Sequence, residues 1–233
     1  MITIGMIVPP ADGAVPPEPP VLYPELRFVA RGLALPELTM DGYNSVIAHV
    51  ANLAKQLKTE GADAISLMGT SLSFYRGPDG NAQVLDAMRS ATELPVTTMT
   101  DSVLAALAAF DAERIAVATA YTDTVNDRLR SYLGTEGLDI LSLEALNLTD
   151  VQKIQSVGDD DLIALGKRAA SAASGAEALF ISCGGLRTLS VIQPLEQSLG
   201  IPVISSATAG AWGAARLSGH SGRASGFGQL FEV

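Results

Sequence analysis

The sequence predicts an α/β protein of two pseudo-symmetric lobes, each a parallel sheet flanked by helices, with a candidate active site in the cleft between them. Three observations predict it. Short, continuously apolar runs read as strands buried on both faces of a parallel sheet. They alternate with longer stretches whose apolar residues recur at helical spacing. The order of these segments in the first half of the chain then returns in the second. The 233 residues divide into lobes at 1–112 and 113–233, and the C-terminal segment could pack back on the first lobe.

The first strand is Ile2-Thr3-Ile4-Gly5-Met6-Ile7-Val8, ended by Pro9-Pro10, which cannot continue a ladder. The segment from Ala11 to Leu38 is rich in Pro and Gly, shows no sustained period, and is long for a connection. Loops of that length often serve a site, and this one is expected to cover one. From Asp41, read as an N-cap, Val46, Val50, Leu53 and Leu57 recur at helical spacing until Gly61 closes the helix, with His49 at the edge of the stripe. Ala64 to Met68 is the next strand, with Gly69-Thr70-Ser71 at its carboxyl end. A helix near Asn81 to Ala91 and a strand at Pro95 to Met99 complete a βαβαβ pattern.

The pattern then recurs. Arg114 to Ala118 is a strand ending in Thr119-Ala120-Tyr121, followed by a helix from about Thr124 to Leu133 and a short strand near Ile140 to Leu143. A helix from Asp160 to Ala173 leads to the strand Ala178 to Ser182, which ends at Cys183-Gly184-Gly185. After a helix around Val191 to Leu199 comes the strand Ile201 to Ser205. Ile65-Ser66-Leu67-Met68-Gly69-Thr70 matches Phe180-Ile181-Ser182-Cys183-Gly184 in kind, with Thr70 opposite Gly184, and Leu94-Pro95-Val96-Thr97-Thr98 matches Ile201-Pro202-Val203-Ile204-Ser205. Gly69 and Cys183 are thereby counterparts. Open parallel sheets bind ligands at the carboxyl ends of their strands, so facing lobes would gather Gly69-Thr70-Ser71, Tyr121 and Cys183-Gly184-Gly185 around one cleft.

Composition narrows the function classes. Apolar residues make up 48% and charged residues 17%, and 22 Gly and 12 Pro follow no short period, which excludes disorder and fibrous repeats. A net charge of −10 opposes a phosphate backbone or an anionic membrane as partner. No apolar run reaches the roughly 18 residues of a membrane span, and the first residues lack a basic signal start. A cytoplasmic protein, with no nucleic acid or membrane partner, is expected. One cysteine and two distant histidines, His49 and His220, supply neither a disulfide nor a metal cage. Chemistry therefore falls to Cys183, hydroxyls, backbone amides and carboxylates, and no metal is expected.

Cys183 stands between an apolar strand and two glycines, where backbone approaches a ligand and amides point outward. As a nucleophile it wants a nearby base, and neither histidine lies at a strand end. As an acid it needs none, because an ordinary thiol is protonated at neutral pH. A free cysteine is also often just a small buried apolar residue. Thr70 and Ser71 offer hydroxyls suited to a carboxylate, or they simply cap a turn. Tyr121 offers a further hydroxyl or forms a wetted rim. The glycine-rich Gly219 to Gly228 precedes no helix that could receive a phosphate, and reads better as a flexible or docked terminus.

Gly5-Met6-Ile7-Val8-Pro9-Pro10, Ser66 to Gly77, Ala118-Thr119-Ala120-Tyr121 and Ser182-Cys183-Gly184-Gly185-Leu186 together resemble the arylmalonate decarboxylase family. That family belongs to the aspartate/glutamate racemase superfamily of two-lobed, cofactor-free enzymes, so the resemblance implies that no cofactor is needed. Superfamily racemases and maleate isomerases use one cysteine per lobe, whereas this chain has glycine, Gly69, at the first position. The resemblance implies decarboxylation of an α-aryl or alkenyl malonate, a small dicarboxylate, with Cys183 protonating one face of an enediolate. It implies that Thr70, Ser71 and Tyr121, with amides near Ser71 and Gly184, hold the retained carboxylate. Leu35, Leu38, Tyr43, Met68, Leu72, Val151 and Ile154 then resemble the apolar pocket around the departing carboxylate. Pro9, Pro10, Gly184 and Gly185 resemble the wall beside the aryl group. A monomer is expected. The alternatives are a racemase or isomerase with a second base other than cysteine, and a non-catalytic protein that binds small carboxylates.

Overall fold

The structure, a computed structural model, describes residues 1–233. Strands β1 (Thr3–Val8), β2 (Arg27–Gly32), β3 (Ala64–Leu67) and β4 (Val96–Thr98) form one parallel sheet in the order β2-β1-β3-β4. Strands β5 (Arg114–Thr119), β6 (Asp139–Ala145), β7 (Ala178–Ser182) and β8 (Val203–Ser205) form a second, in the order β6-β5-β7-β8. Each sheet thus orders its strands identically. The central strands β1, β3 and β7 are buried along their whole length, which is why they read as unbroken apolar runs. The edge strands β2 and β6 are mostly half-buried.

The helices of the first half are α1 (Glu18–Leu22), α2 (Met40–Val46), α3 (Val50–Thr59), α4 (Thr70–Phe74), α5 (Gly77–Thr92) and α6 (Met99–Ala108). Those of the second are α7 (Asp123–Thr135), α8 (Val151–Gln155), α9 (Asp159–Ser171), α10 (Ile192–Leu199) and α11 (Ser206–Leu217). Their ends follow local chemistry. Pro78 occupies the first turn of α5, where a missing N–H costs nothing, and Glu93 ends it in the left-handed region. Ser205 and Thr208 form a reciprocal capping box at the start of α11. No helix is long and apolar enough to cross a membrane.

Several expectations are corrected. The segment from Ala11 to Leu38 contains α1 and the edge strand β2, whose partner on one side only and half-exposed face give a weak apolar signal. The single helix expected from Asp41 to Gly61 is two helices joined by a 3-10 turn at Ile47–His49, and its cap is Thr39, whose hydroxyl accepts from the Gly42 amide at 3.2 Å. Helices α6, α8 and α11 had no counterpart in the sequence reading. Helix α11 is rich in small residues and buried nearly all round, so it lacks the one-sided stripe that marks a surface helix.

That buried helix couples the halves. Although it follows β8, α11 packs along α6 of the first half. The approach is so close that a Cβ on Gly213 would collide with the Ser102 side chain. The glycine-rich tail is docked rather than free. Tyr23 donates its hydroxyl to the Gly222 carbonyl at 2.8 Å, His220 meets Glu25 at 2.7 Å, and the Gln229 amide donates to the buried Glu196 carboxylate at 3.1 Å.

Candidate active site

The carboxyl ends of β3 and β7 open into one cavity of about 180 Å³. From β3 come Met68, Gly69, Thr70 and Ser71, and from β7 come Cys183, Gly184 and Gly185. The end of β1 adds Pro9 and Pro10, and the end of β5 adds Tyr121. Aliphatic side chains close another side, with Leu35 and Leu38 from the loop after β2 and Val151 and Ile154 from α8. Tyr43 and Leu72 do not line the cavity. Leu72 stands behind Gly69, its Cδ1 2.8 Å from where a Cβ on that glycine would lie. The Tyr43 hydroxyl is buried against Ser71 without a well-formed hydrogen bond.

Sequence reasoning missed Asp12, Glu18, Met99, Gln155, Arg187 and Ala207, all of which line the cavity. The length of the Pro-rich loop signalled that it covers something. Which of its residues face inward depends on α1, a five-residue helix that sequence periodicity does not reveal.

The backbone supports the groups around this space. Gly69 is extended, at φ −143°, and caps α4 without a side-chain bond. The Ser71 and Gly184 amides have no acceptor within the protein. Thr70 donates its hydroxyl to the Met99 sulfur at 3.0 Å and accepts at its carbonyl from the Thr100 hydroxyl, also at 3.0 Å. On the opposite side, Asn126 donates to the Tyr121 carbonyl at 3.2 Å, and the Tyr121 ring meets Phe74 edge-on at 5.8 Å. The Ser182 hydroxyl donates to the Tyr121 oxygen at 3.4 Å.

Cys183 is held in a conformation that L residues rarely adopt, with φ of +143°. Strain of this kind persists only where the surroundings over-determine it, and it gathers at functional sites. The Cys183 amide donates to Ser206 on α11 at 3.2 Å, and its carbonyl accepts from Leu186 at 3.2 Å. A Cβ on Gly184 would lie 2.7 Å from the Met99 sulfur, so only glycine fits there without moving Met99. Burial pushes the Cys183 thiol up to about 11, against the lowering effect of the Gly185 amide, the Tyr121 hydroxyl and the Leu186 amide. Burial also raises the Tyr121 phenol well above its ordinary value. At neutral pH the site therefore holds a protonated thiol beside a protonated phenol, a set of acids and donors rather than a base and nucleophile.

Paired parallel sheets that share one cavity at their strand ends, with a buried thiol at one of those ends and two unengaged amides and the hydroxyls of Thr70, Ser71 and Tyr121 about it, define a two-lobed α/β enzyme. Comparison with known proteins specifies the family. The model of the arylmalonate decarboxylase family matches residues 4–231. An arylmalonate decarboxylase of Bordetella bronchiseptica is 48% identical over 231 residues, which cover 99% of this chain and 96% of the relative. A liganded crystal structure of arylmalonate decarboxylase bearing a glycine-to-cysteine and a cysteine-to-serine exchange superposes with a TM-score of 0.98 at 46% identity, covering 100% of this chain and 99% of that one. A Nocardia farcinica maleate cis-trans isomerase shares the fold, with a TM-score of 0.92 at 21% identity over 99% of this chain and 98% of that one. The chain belongs to the arylmalonate decarboxylase family and is a carboxy-lyase.

Proposed function

We propose that the protein decarboxylates α-aryl or alkenyl malonates to chiral monoacids without a cofactor, and that Cys183 delivers the proton. One carboxylate of the malonate sits among Leu35, Leu38, Val151 and Ile154, where its hydration is lost and departure as neutral CO2 is favoured. The bond between that carboxylate and Cα breaks, CO2 leaves, and the electron pair passes into the remaining carboxylate as a planar enediolate. Thr70, Ser71 and Tyr121 with the Ser71 and Gly184 amides hold the developing charge. Donors fixed before reaction contribute ~3 kcal/mol each in comparable oxyanion sites. Cα then takes the proton of the Cys183 thiol, and the thiolate recovers one from water.

The observation that carries this reading is a strained, protonated thiol at the end of β7 in the cavity that Gly69 lines from the end of β3. One acid on one side implies one product enantiomer. The crystallised double mutant supports the pairing, because its two exchanged positions are spaced as Gly69 and Cys183 are here. The division of the chain near residue 112 belongs to the same proposal. It is supported by each sheet drawing all its strands from one side of that point. Incubation with phenylmalonate, without added metal or cofactor, should release CO2 and give phenylacetate. In deuterated water a prochiral methylphenylmalonate should give one enantiomer deuterated at Cα. Exchange of an α-hydrogen without CO2 release would instead indicate a racemase, and tight binding without turnover a carboxylate-binding protein.

A further inference from the structure

Glu18 is 4% exposed, yet forms no ion pair and no side-chain hydrogen bond with another residue. Burial raises its pKa, against the lowering effect of its own backbone amide and of the nearby Arg187 charge. Arg187 is exposed, acts on Glu18 through its charge, and forms no contact ion pair with any carboxylate. Both line the catalytic cavity. A buried carboxyl that lines a cavity with only its own amide as hydrogen-bond donor carries a desolvation penalty that a ligand can relieve.

Their place in the chain says which end of a substrate they meet. Pro9-Pro10 runs on into the loop that carries Glu18, and Gly184-Gly185 runs on to Arg187. Those prolines and glycines form the wall assigned above to the aryl group. The departing carboxylate instead has the aliphatic side. A carboxyl accepts a hydrogen bond and a guanidinium donates one, and a single hydroxyl can do the complementary two at once. A distal carboxylate would suit Arg187 but oppose Glu18 and the exposed Asp12 at the same cavity. A distal ammonium would oppose Arg187.

We propose that Glu18 and Arg187 form a specificity subsite for a hydroxyl on the far edge of the aryl group, so that hydroxyarylmalonates are preferred substrates. This rests on the decarboxylase reading above. The test compares kcat/KM for 3- and 4-hydroxyphenylmalonate with that for phenylmalonate, in the unaltered protein and in Glu18→Leu, Arg187→Leu and Arg187→Lys. At least one hydroxylated substrate should be favoured about tenfold, the scale of a hydrogen bond to a charged group. Both leucine variants should bring the ratio near one, and Arg187→Lys should keep part of it. Because the ratio is taken within each variant, a loss of folded protein cancels. Should Glu18→Leu fail to fold, the exposed Arg187 decides. A ratio within about twofold of one in the unaltered protein, or one that Arg187→Leu leaves in place, overturns the subsite. Release of CO2 from phenylmalonate in that case leaves the decarboxylase reading standing, whereas no CO2 from any of the substrates removes both.

Discussion

Alkylation of Cys183 across a range of pH tests whether the thiol is an acid or a nucleophile. Only the thiolate reacts with iodoacetamide, so the rate reports its population. Desolvation moves the group from an ordinary 9.0 to about 11, a cost of ~3 kcal/mol to form the anion in place. At pH 8 about 0.1% of Cys183 would be thiolate, against roughly 10% of an unperturbed thiol, so alkylation should be about a hundredfold slower than for a free cysteine. The sign follows from burial, which favours the neutral form, so the proton stays on sulfur until the pH approaches 11. The logarithm of the rate should therefore rise by one per pH unit from 7 to 10 without levelling. Since the chain has one cysteine, mass spectrometry of the intact protein counts the product directly. Tyr121→Phe, which removes a donor to the thiolate, should slow the reaction further. A rate that levels off below pH 9 would mean a stabilised thiolate, and the proton-donor role would fall.

Cys183→Ser replaces the thiol by a much weaker acid. Decarboxylation should drop by about 10²- to 10⁴-fold, the usual worth of a positioned acid, while the thermal unfolding midpoint moves by only a few degrees. Unchanged turnover would remove Cys183 from the mechanism. Gly69→Cys should introduce α-hydrogen exchange and racemisation of the product in deuterated water, because the extended backbone accepts any residue and only the end of Leu72 must shift. Retention of a single enantiomer with no exchange would refute the facing arrangement. Glu196→Ala strips the acceptor from the Val203 and Gln229 amides, which lie 3.2 and 3.1 Å from it. It should cost about 1–3 kcal/mol and speed tryptic cleavage at Arg223, and unaltered proteolysis would show the tail is held by other contacts.

The sequence by itself determined the two-sheet α/β plan and the places where chemistry could reside. Strands buried on both faces are apolar at most positions, so β1, β3, β5 and β7 are visible as runs interrupted only by small hydroxyl residues and the exposed Arg114 that opens β5, and the residues that follow them are strand ends whatever the rest of the chain does. The resemblance carried by Ser66 to Gly77 and Ser182 to Leu186 pointed to the family for the same reason, since these strings follow β3 and β7. Only the tertiary structure decided what surrounds Cys183 and how far its thiol is shifted. The cavity about it is lined in part by the start of α11 and by the loop carrying α1, one helix too uniformly buried and the other too short and Pro-rich to give a periodic signal. It also decided that Glu18 and Arg187, which stand 169 positions apart, share one cavity. Local propensity acts within a few residues. The approach of two strand ends and the loops beyond them is set by how α6 and α11 pack, a contact that no stretch of sequence contains.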